Sequence, residues 1–400
     1  MIKLTKYSFH NEAETKRALI DFIQNADVLS MGREVQKFEE SFVQKQGRTY
    51  AVFVNSGSSA NLVLFQALLN LGRLKKGARV GFSALTWSTN VMPIIQLGMV
   101  PVPIDCELDT LNVSSEILRR HIKDLDCFFI TNALGLSSDI DRIEALCKEE
   151  GVVLLEDNCE SLGSKIGGRL LGNFSLASTF SFFVGHHLST IEGGMVCTDD
   201  AELYEALTVV RAHGWSRNLP QEAKKKLQAT YGVDDFYSQY TFYDVGYNVR
   251  PTEINGCLGN IQLQYWDELV ATREQNFNTL YGYMKTNKDM LPLRIDHMDV
   301  FSSFSIPIVC ATEEAFEVYR KRFEDNDVEI RPIIAGNITK QPFYKKYVQD
   351  ESALPNTDFI ASHGFYFGNN ADLTEEEIAL LGSLLEPAVI SVGTTEVVRQ

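Results

Sequence analysis

The feature that most limits the fold of this chain is a series of short β-rich runs, apolar on both faces, with helical patterns between them. The runs are Tyr50–Asn55 (YAVFVN), Arg79–Ser83, Val100–Ile104, Cys127–Thr131 (CFFIT), Val152–Glu156 (VVLLE) and Thr179–Phe183 (TFSFF). Helical patterns fall at Ser58–Leu71, Asn90–Leu97, Ser114–His121 and Ile140–Glu149. A strand apolar on both faces must be covered on both, and intervening helices return the chain for parallel pairing. The expectation is an α/β protein whose mainly parallel sheet is flanked by helices.

Amphipathic stretches at Glu12–Ile23 and Glu34–Lys45 precede this series. Behind it come a helical pattern at Glu202–Ala212, a loop-rich stretch to Tyr247, and one long helix from Thr252 to Asn276. The remainder has fewer strands, such as Ser303–Val309, and helices at Glu313–Asn326 and Glu375–Leu385. This shift predicts a large domain over residues 1–270 and a smaller α+β domain over 271–400. The first 30 or so residues are expected to pack on the small domain or on a partner.

Charge and cysteine usage narrow the function. Over 400 residues, 37 Lys+Arg against 53 Asp+Glu leave a net charge of -16. Such a surface repels phosphate backbones, which argues against nucleic acid and anionic membranes as partners. The most apolar stretch, Val91–Ile104, contains Gln96, Gly98 and three prolines and is too short to span a bilayer. With no apolar run at the start of the sequence, the expected location is the cytoplasm. Seven cysteines, none closer than 12 positions to the next, fit neither a disulfide scaffold nor a zinc or iron–sulfur site. No metal is expected.

Three segments carry chemistry. Asn55-Ser56-Gly57-Ser58-Ser59-Ala60-Asn61 joins a strand to a helix, where free N–H groups and hydroxyls can hold an anion; an ordinary helix cap reads the same way. Leu154–Gly163 (LLEDNCESLG) puts acids at the carboxyl end of a buried strand, where open α/β sheets collect ligands. Ser181–Gly194 (SFFVGHHLSTIEGG) sets a histidine pair between an aromatic strand and a Glu-Gly-Gly turn.

In this order and spacing the three segments resemble the DegT/DnrJ/EryC1/StrS family of pyridoxal-phosphate (PLP) sugar aminotransferases. Gly246–Glu253 (GYNVRPTE) resembles a fourth family motif, and the likeness runs over residues 10 to 385. The resemblance implies the aspartate-aminotransferase-like fold type I. One departure decides the expected chemistry. Where the family has the lysine that holds PLP covalently, this chain has His186, and no lysine lies between Lys165 and Lys224. The His-His pair is similar to a branch that removes the C3 hydroxyl of nucleotide-linked 4-keto-6-deoxy sugars. Arg331–Pro342 and His363–Asn370 agree with that branch. It comes in an iron–sulfur form, which needs a C-x-C, and a cluster-free form that makes pyridoxamine phosphate (PMP) from PLP and L-glutamate. The absence of close-set cysteines places the chain with the second.

The resemblance implies roles residue by residue. His186 is the catalytic base; Asp157 faces the pyridine nitrogen; Glu160 lies near the ring oxygen; Trp87 stacks on the ring. Gly57, Ser58 and Ser181 hold the phosphate, and Asn248 reaches it from a neighbouring subunit, which implies a homodimer with shared active sites. His213, Arg217 and Arg331 are candidates for the glutamate carboxylates or the sugar diphosphate, since an arginine fork holds two oxygens at once. Two other readings stand beside this one: an inert, ligand-binding sensor that has lost the lysine, and an iron–sulfur-dependent 3-dehydratase.

Overall fold

The computed structural model describes residues 1–349 and 352–388; the rest of the expected small domain, from 389 on, lies outside the described residues. The first strands are β1 (Tyr50–Val54), β2 (Arg79–Ser83), β3 (Val100–Ile104), β4 (Cys127–Thr131) and β5 (Val153–Asp157). A two-residue-per-strand hairpin, β6 (Lys165–Ile166) and β7 (Arg169–Leu170), precedes β8 (Ala177–Ser181) and β9 (Gly194–Thr198). All but the hairpin join one seven-stranded sheet in the order β1-β9-β8-β5-β4-β2-β3. The five strands from β3 to β8 run parallel, and β9 runs antiparallel between β8 and β1.

The apolar runs are buried as their two-faced pattern requires: every residue of β4 and β9 is buried. Helices close both faces. Gly57–Asn70 contributes Val63, Leu64 and Phe65 to the core on one side, and Ile140–Glu150 contributes Ile143 and Leu146 on the other. The sequence did not announce β9. It opens on a glycine, which weakens a strand pattern, and that glycine is required by packing: a Cβ on Gly194 would stand 2.2 Å from the Ser56 carbonyl oxygen.

A second sheet, all antiparallel, contains β10 (Ser305–Val309), β11 (Ile330–Pro332) and β12 (Gly364–Gly368) in the order β10-β12-β11. Glu313–Asp325 packs Tyr319 and Phe323 against it. The amino-terminal residues belong to this region. Ile2 pairs in parallel with Val328, the Leu4 N–H donates to Glu329 Oε2 at 3.0 Å, and Asn370 donates to the Lys3 and Leu4 carbonyls.

Two stretches differ from expectation. The single helix over Thr252–Asn276 is two helices, Glu253–Gln262 and Trp266–Thr286, joined by a 3-10 turn at Leu263–Tyr265. An apolar period running through the turn hides it from a sequence reading. The second helix crosses residue 270 unbroken and changes core on the way: Trp266 and Leu269 pack with Phe42 and Phe38, whereas Phe277, Leu280 and Met284 pack with the second sheet. The loop-rich stretch contains the helix Gln221–Tyr231, whose lysine-rich face carries little apolar signal.

Candidate active site

The carboxyl ends of five strands of the large sheet meet at one cavity of about 390 Å³. Ser56, Gly57 and Ser58 follow β1; Trp87, Thr89 and Asn90 follow β2; Thr131 ends β4; Asp157, Cys159 and Glu160 end or follow β5; Ser181, Phe183 and His186 end or follow β8. Successive strand residues face opposite sides, so ligand-bearing groups gather where parallel strands stop. The opposite wall comes from the second sheet region, with Phe304, Ile334 and Tyr366, and from Leu4 and Thr5.

The acidic pair of β5 splits by that alternation. Glu156 is fully buried as a structural group: its oxygens accept from Asn132 Nδ2 (3.0 Å), Gly172 N–H (2.8 Å) and Phe174 N–H (2.9 Å). Asp157 lines the cavity. Its Oδ2 accepts from Asn90 Nδ2 at 2.7 Å and Asn61 Nδ2 at 2.9 Å, and its Oδ1 from the Cys159 N–H at 2.9 Å. Three donors fix the direction of the carboxylate. Thr179 in turn donates to Asn61 Oδ1 at 2.7 Å, which sets the amide's orientation.

The phosphate-like cradle is built at the start of helix Gly57–Asn70. Ser56 caps it by accepting from the Ser59 N–H at 3.1 Å, and the first-turn N–H groups of a 14-residue helix present partial positive charge. Gly57 lies against β8 so closely that a Cβ would stand 2.7 Å from Ser181 Cβ and 3.1 Å from Cys159 Sγ. Ser58 touches Thr89 Oγ1 at 3.3 Å. Trp87 is 55% exposed at the cavity wall, an unusual state for a tryptophan outside a binding surface.

His186 lies in the turn after β8, its N–H bonded to the Phe183 carbonyl at 2.9 Å. Its ring lies tilted against Phe304 with centroids 5.2 Å apart, and its Nδ1 is buried with no hydrogen-bond partner. Burial pushes the imidazole down to about 4, with the Asp157 charge pulling the other way. Glu160 moves oppositely: burial raises its carboxyl to about 7, partly offset by the Leu134 N–H donated at 2.8 Å, while Asp157 adds to the rise. Around neutral pH the cavity thus holds a neutral imidazole and a carboxyl close to half protonated.

Of the eleven residues singled out by sequence, Gly57, Ser58, Trp87, Asp157, Glu160, Ser181 and His186 line this cavity. His213, Arg217, Asn248 and Arg331 do not. Asn248 Oδ1 accepts from Arg250 Nε at 3.0 Å, and Arg217 lies on the rings of Trp215 (4.1 Å) and Tyr240 (4.5 Å). His213, at φ +60°, stacks edge-on to Trp215 at 4.8 Å. Arg331 pairs with Glu329 at an exposed site, though its strand position lies opposite Tyr366. Sequence reasoning missed Asn61, Asn90, Phe304 and Tyr366. Asn61 stands in the Asn55–Asn61 segment without a role of its own, and Asn90 directly precedes the apolar part of its helix.

This constellation on a fold type I sheet defines a class: the chain belongs to the DegT/DnrJ/EryC1/StrS aminotransferase family, whose pattern matches residues 10–385. Within that class it is 33% identical over 377 residues to GDP-4-keto-6-deoxy-D-mannose 3-dehydratase of Escherichia coli O55:H7, covering 92% of this chain and 95% of the relative. The lipopolysaccharide biosynthesis protein RfbH of Salmonella typhimurium is 28% identical, covering 90% and 85% of the two chains. A solved structure of the E. coli dehydratase with bound hydrated PLP superposes with a TM-score of 0.88 at 30% identity, covering 96% of this chain and 99% of that one. Another, of GDP-4-keto-6-deoxymannose-3-dehydratase with a trapped PLP–glutamate geminal diamine, also has a TM-score of 0.88, at 30% identity over 96% of this chain and all of that one.

The residues present fit a pyridoxal phosphate: a fixed carboxylate for a protonated ring nitrogen, an exposed indole face, a cradle without space for a Cβ, and an imidazole with an unused nitrogen.

Proposed function

We propose that this protein is a PLP/PMP-dependent C3 dehydratase of a nucleotide-linked 4-keto-6-deoxyhexose, with L-glutamate as amino donor. The observation that carries the reading is that, among the described residues, no lysine lines the cavity while His186 does. A pocket equipped for PLP but lacking the amine that would bind it covalently would leave the cofactor's amine form free for a sugar ketone, with glutamate replacing the nitrogen lost as ammonia. That favours this chemistry over ordinary transamination, and the retained Asp157 and Gly57 cradle favour it over an inert sensor. An iron–sulfur form lacks support, because no metal-binding group of His, Cys, Asp and Glu occurs among the described residues.

Asp157, Glu160 and Trp87 would hold the ring of the non-covalent cofactor, and Gly57, Ser58 and Ser181 its phosphate. When bound, the cofactor supplies an electron sink beside the sugar C4. The neutral His186 imidazole accepts a proton and returns it to the hydroxyl leaving C3, general acid–base work for which a depressed pKa keeps the base free. Phe304 backs the ring and limits its rotation. Glutamate and the sugar yield 2-oxoglutarate, ammonia and a 4-keto-3,6-dideoxy sugar; the water lost at C3 offsets the water consumed in releasing ammonia.

The residues that do not reach the cavity belong to the same proposal. A second copy of the chain brings Asn248, and with it His213 and Arg217, to its partner's cavity, giving a homodimer with shared sites. The segment around them supports this: Phe236 (77%), Tyr240 (73%) and Val245 (63%) are exposed, more apolar surface than a solvent-facing loop needs. Arg331 remains a candidate for the sugar diphosphate. Residues 1–270 serve as the cofactor-binding unit and 271 onward as the smaller one. All seven cysteines are free, which fits the cytoplasm, and no helix among the described residues is long and apolar enough to cross a membrane.

The test offers GDP-, CDP-, dTDP- and UDP-linked 4-keto-6-deoxy sugars with glutamate and follows products by mass spectrometry. One of them should lose one oxygen, with ammonia and 2-oxoglutarate appearing in equal amounts. A 4-amino sugar instead of a deoxy sugar overturns the reading in favour of a transaminase.

A further inference from the structure

A second, smaller cavity of about 30 Å³ lies behind the histidine pair and shares Thr5, Gly185 and His186 with the main one. We propose that this cavity binds a monovalent, halide-sized anion on the Arg273 guanidinium.

Arg273 projects from helix Trp266–Thr286 and is only 6% exposed. Among the described residues its guanidinium makes one hydrogen bond, from Nη1 to the Asn369 carbonyl, and its Nε is buried with no partner. Among the described residues no carboxylate stands within ion-pair distance of it. The acid that acts on it most, Asp372, lies at the cavity's rim with 39% of its side chain exposed and faces His10 Nδ1 at 3.8 Å. A buried cation needs a counter-charge as well as hydrogen bonds. Water would satisfy Nε but not the charge.

The rest of the lining suits a small anion. His187 is 5% exposed, and neither of its ring nitrogens has a partner; a neutral imidazole still offers one N–H. Ser189, which accepts from the Ile191 N–H at 3.1 Å, keeps its own hydroxyl hydrogen to donate. Three donors from three residues thus border a space that holds one or two water-sized particles. Because His186 forms the wall between the two cavities, an anion here lies next to the proposed base and can neutralise the charge that Arg273 sends towards it. The inference rests on the burial of Arg273 and stands whether or not the reaction is the one proposed above.

The test is chloride NMR on the purified full chain, with bromide-soaked crystals read by anomalous scattering. Excess ³⁵Cl line broadening should saturate, and one bromide peak should lie within contact of Arg273. Arg273→Gln should weaken chloride binding by about tenfold or more, the worth of one charge-assisted contact, and Arg273→Lys should retain it. If Arg273→Gln does not fold, the wild-type crystal decides alone. Density for water with no anomalous signal overturns the proposal, as does broadening that never saturates, which marks an adventitious ion only.

Discussion

The strand-end cradle and the Ala212–Arg250 loop, which holds His213, Arg217 and Asn248, both carry residues that the family resemblance implies for binding, yet they are built in opposite ways. In the cradle, each group is fixed by groups that are themselves fixed: Thr179 holds Asn61, which with Asn90 holds Asp157. In the loop, Arg217 donates to the Gln239 carbonyl and covers aromatic rings, while Tyr237, Tyr240 and Phe242 stand exposed. These groups of the cradle hold one another within one chain. The loop has a cavity of about 250 Å³ lined by Phe236, Tyr237, Gln239, Tyr240 and Thr241, but His213, Arg217 and Asn248 do not line it.

The comparison breaks most easily at the cradle. His186→Asn should bind PLP yet lose dehydration by roughly two to four orders of magnitude, the usual worth of a positioned general base; a variant as fast as wild type would make His186 a structural residue. Gly57→Ala puts a Cβ 2.7 Å from Ser181 Cβ, so the cradle must open. PLP affinity, followed by absorbance on dialysis, should fall by about tenfold or more, the loss of one charge-assisted contact. Unchanged affinity would move the phosphate elsewhere.

Mixing sharpens the contrast. His186→Asn and Asn248→Ala chains, each weak alone, should regain roughly a quarter of wild-type activity when reassociated, since a two-fold dimer then contains some intact sites. No recovery in mixed dimers would return Asn248 to its own chain.

The smallest effect is one of pH. The Glu160 carboxyl is raised from 4.5 to about 7 in the folded chain, so between those values the native state keeps a proton that the unfolded state has lost. Stability therefore falls as pH rises through that window. His186, lowered from 6.5 to about 4, acts in reverse: stability falls as pH drops through its window. Urea midpoints measured across pH 5 to 8 should show the Glu160→Gln variant losing less stability on the alkaline side than wild type does. Parallel curves would mean that Glu160 titrates normally.

What the sequence made legible follows the same divide. Parallel strands and the residues at their ends announce themselves, because burial on both faces leaves an uninterrupted apolar run and a polar residue where it stops. Asp157 and Ser181 are readable for that reason. Phe304, Tyr366 and Leu4 are not, since they arrive at the cavity from a second sheet and from the opposite end of the chain. An apolar residue that packs on a ligand looks like any core residue. The break after Gln262 is hidden by an apolar period that runs through the turn. Glu253 reads as a surface acid, yet its carboxylate accepts from the Gly32, Glu34 and Val35 N–H groups.

The pairing of Ile2 with Val328 and the place of Leu4 in the cavity wall have a consequence for how the protein is made. Residues more than three hundred positions apart must meet before the cavity has all its walls, and closing so long a loop comes late among folding events. During synthesis the parallel strands and the Gly57 cradle can assemble while the far wall is still untranslated. Capture of the cofactor is therefore a report on the whole chain's completion, and a chain halted after β9 would present an open half-site facing solvent.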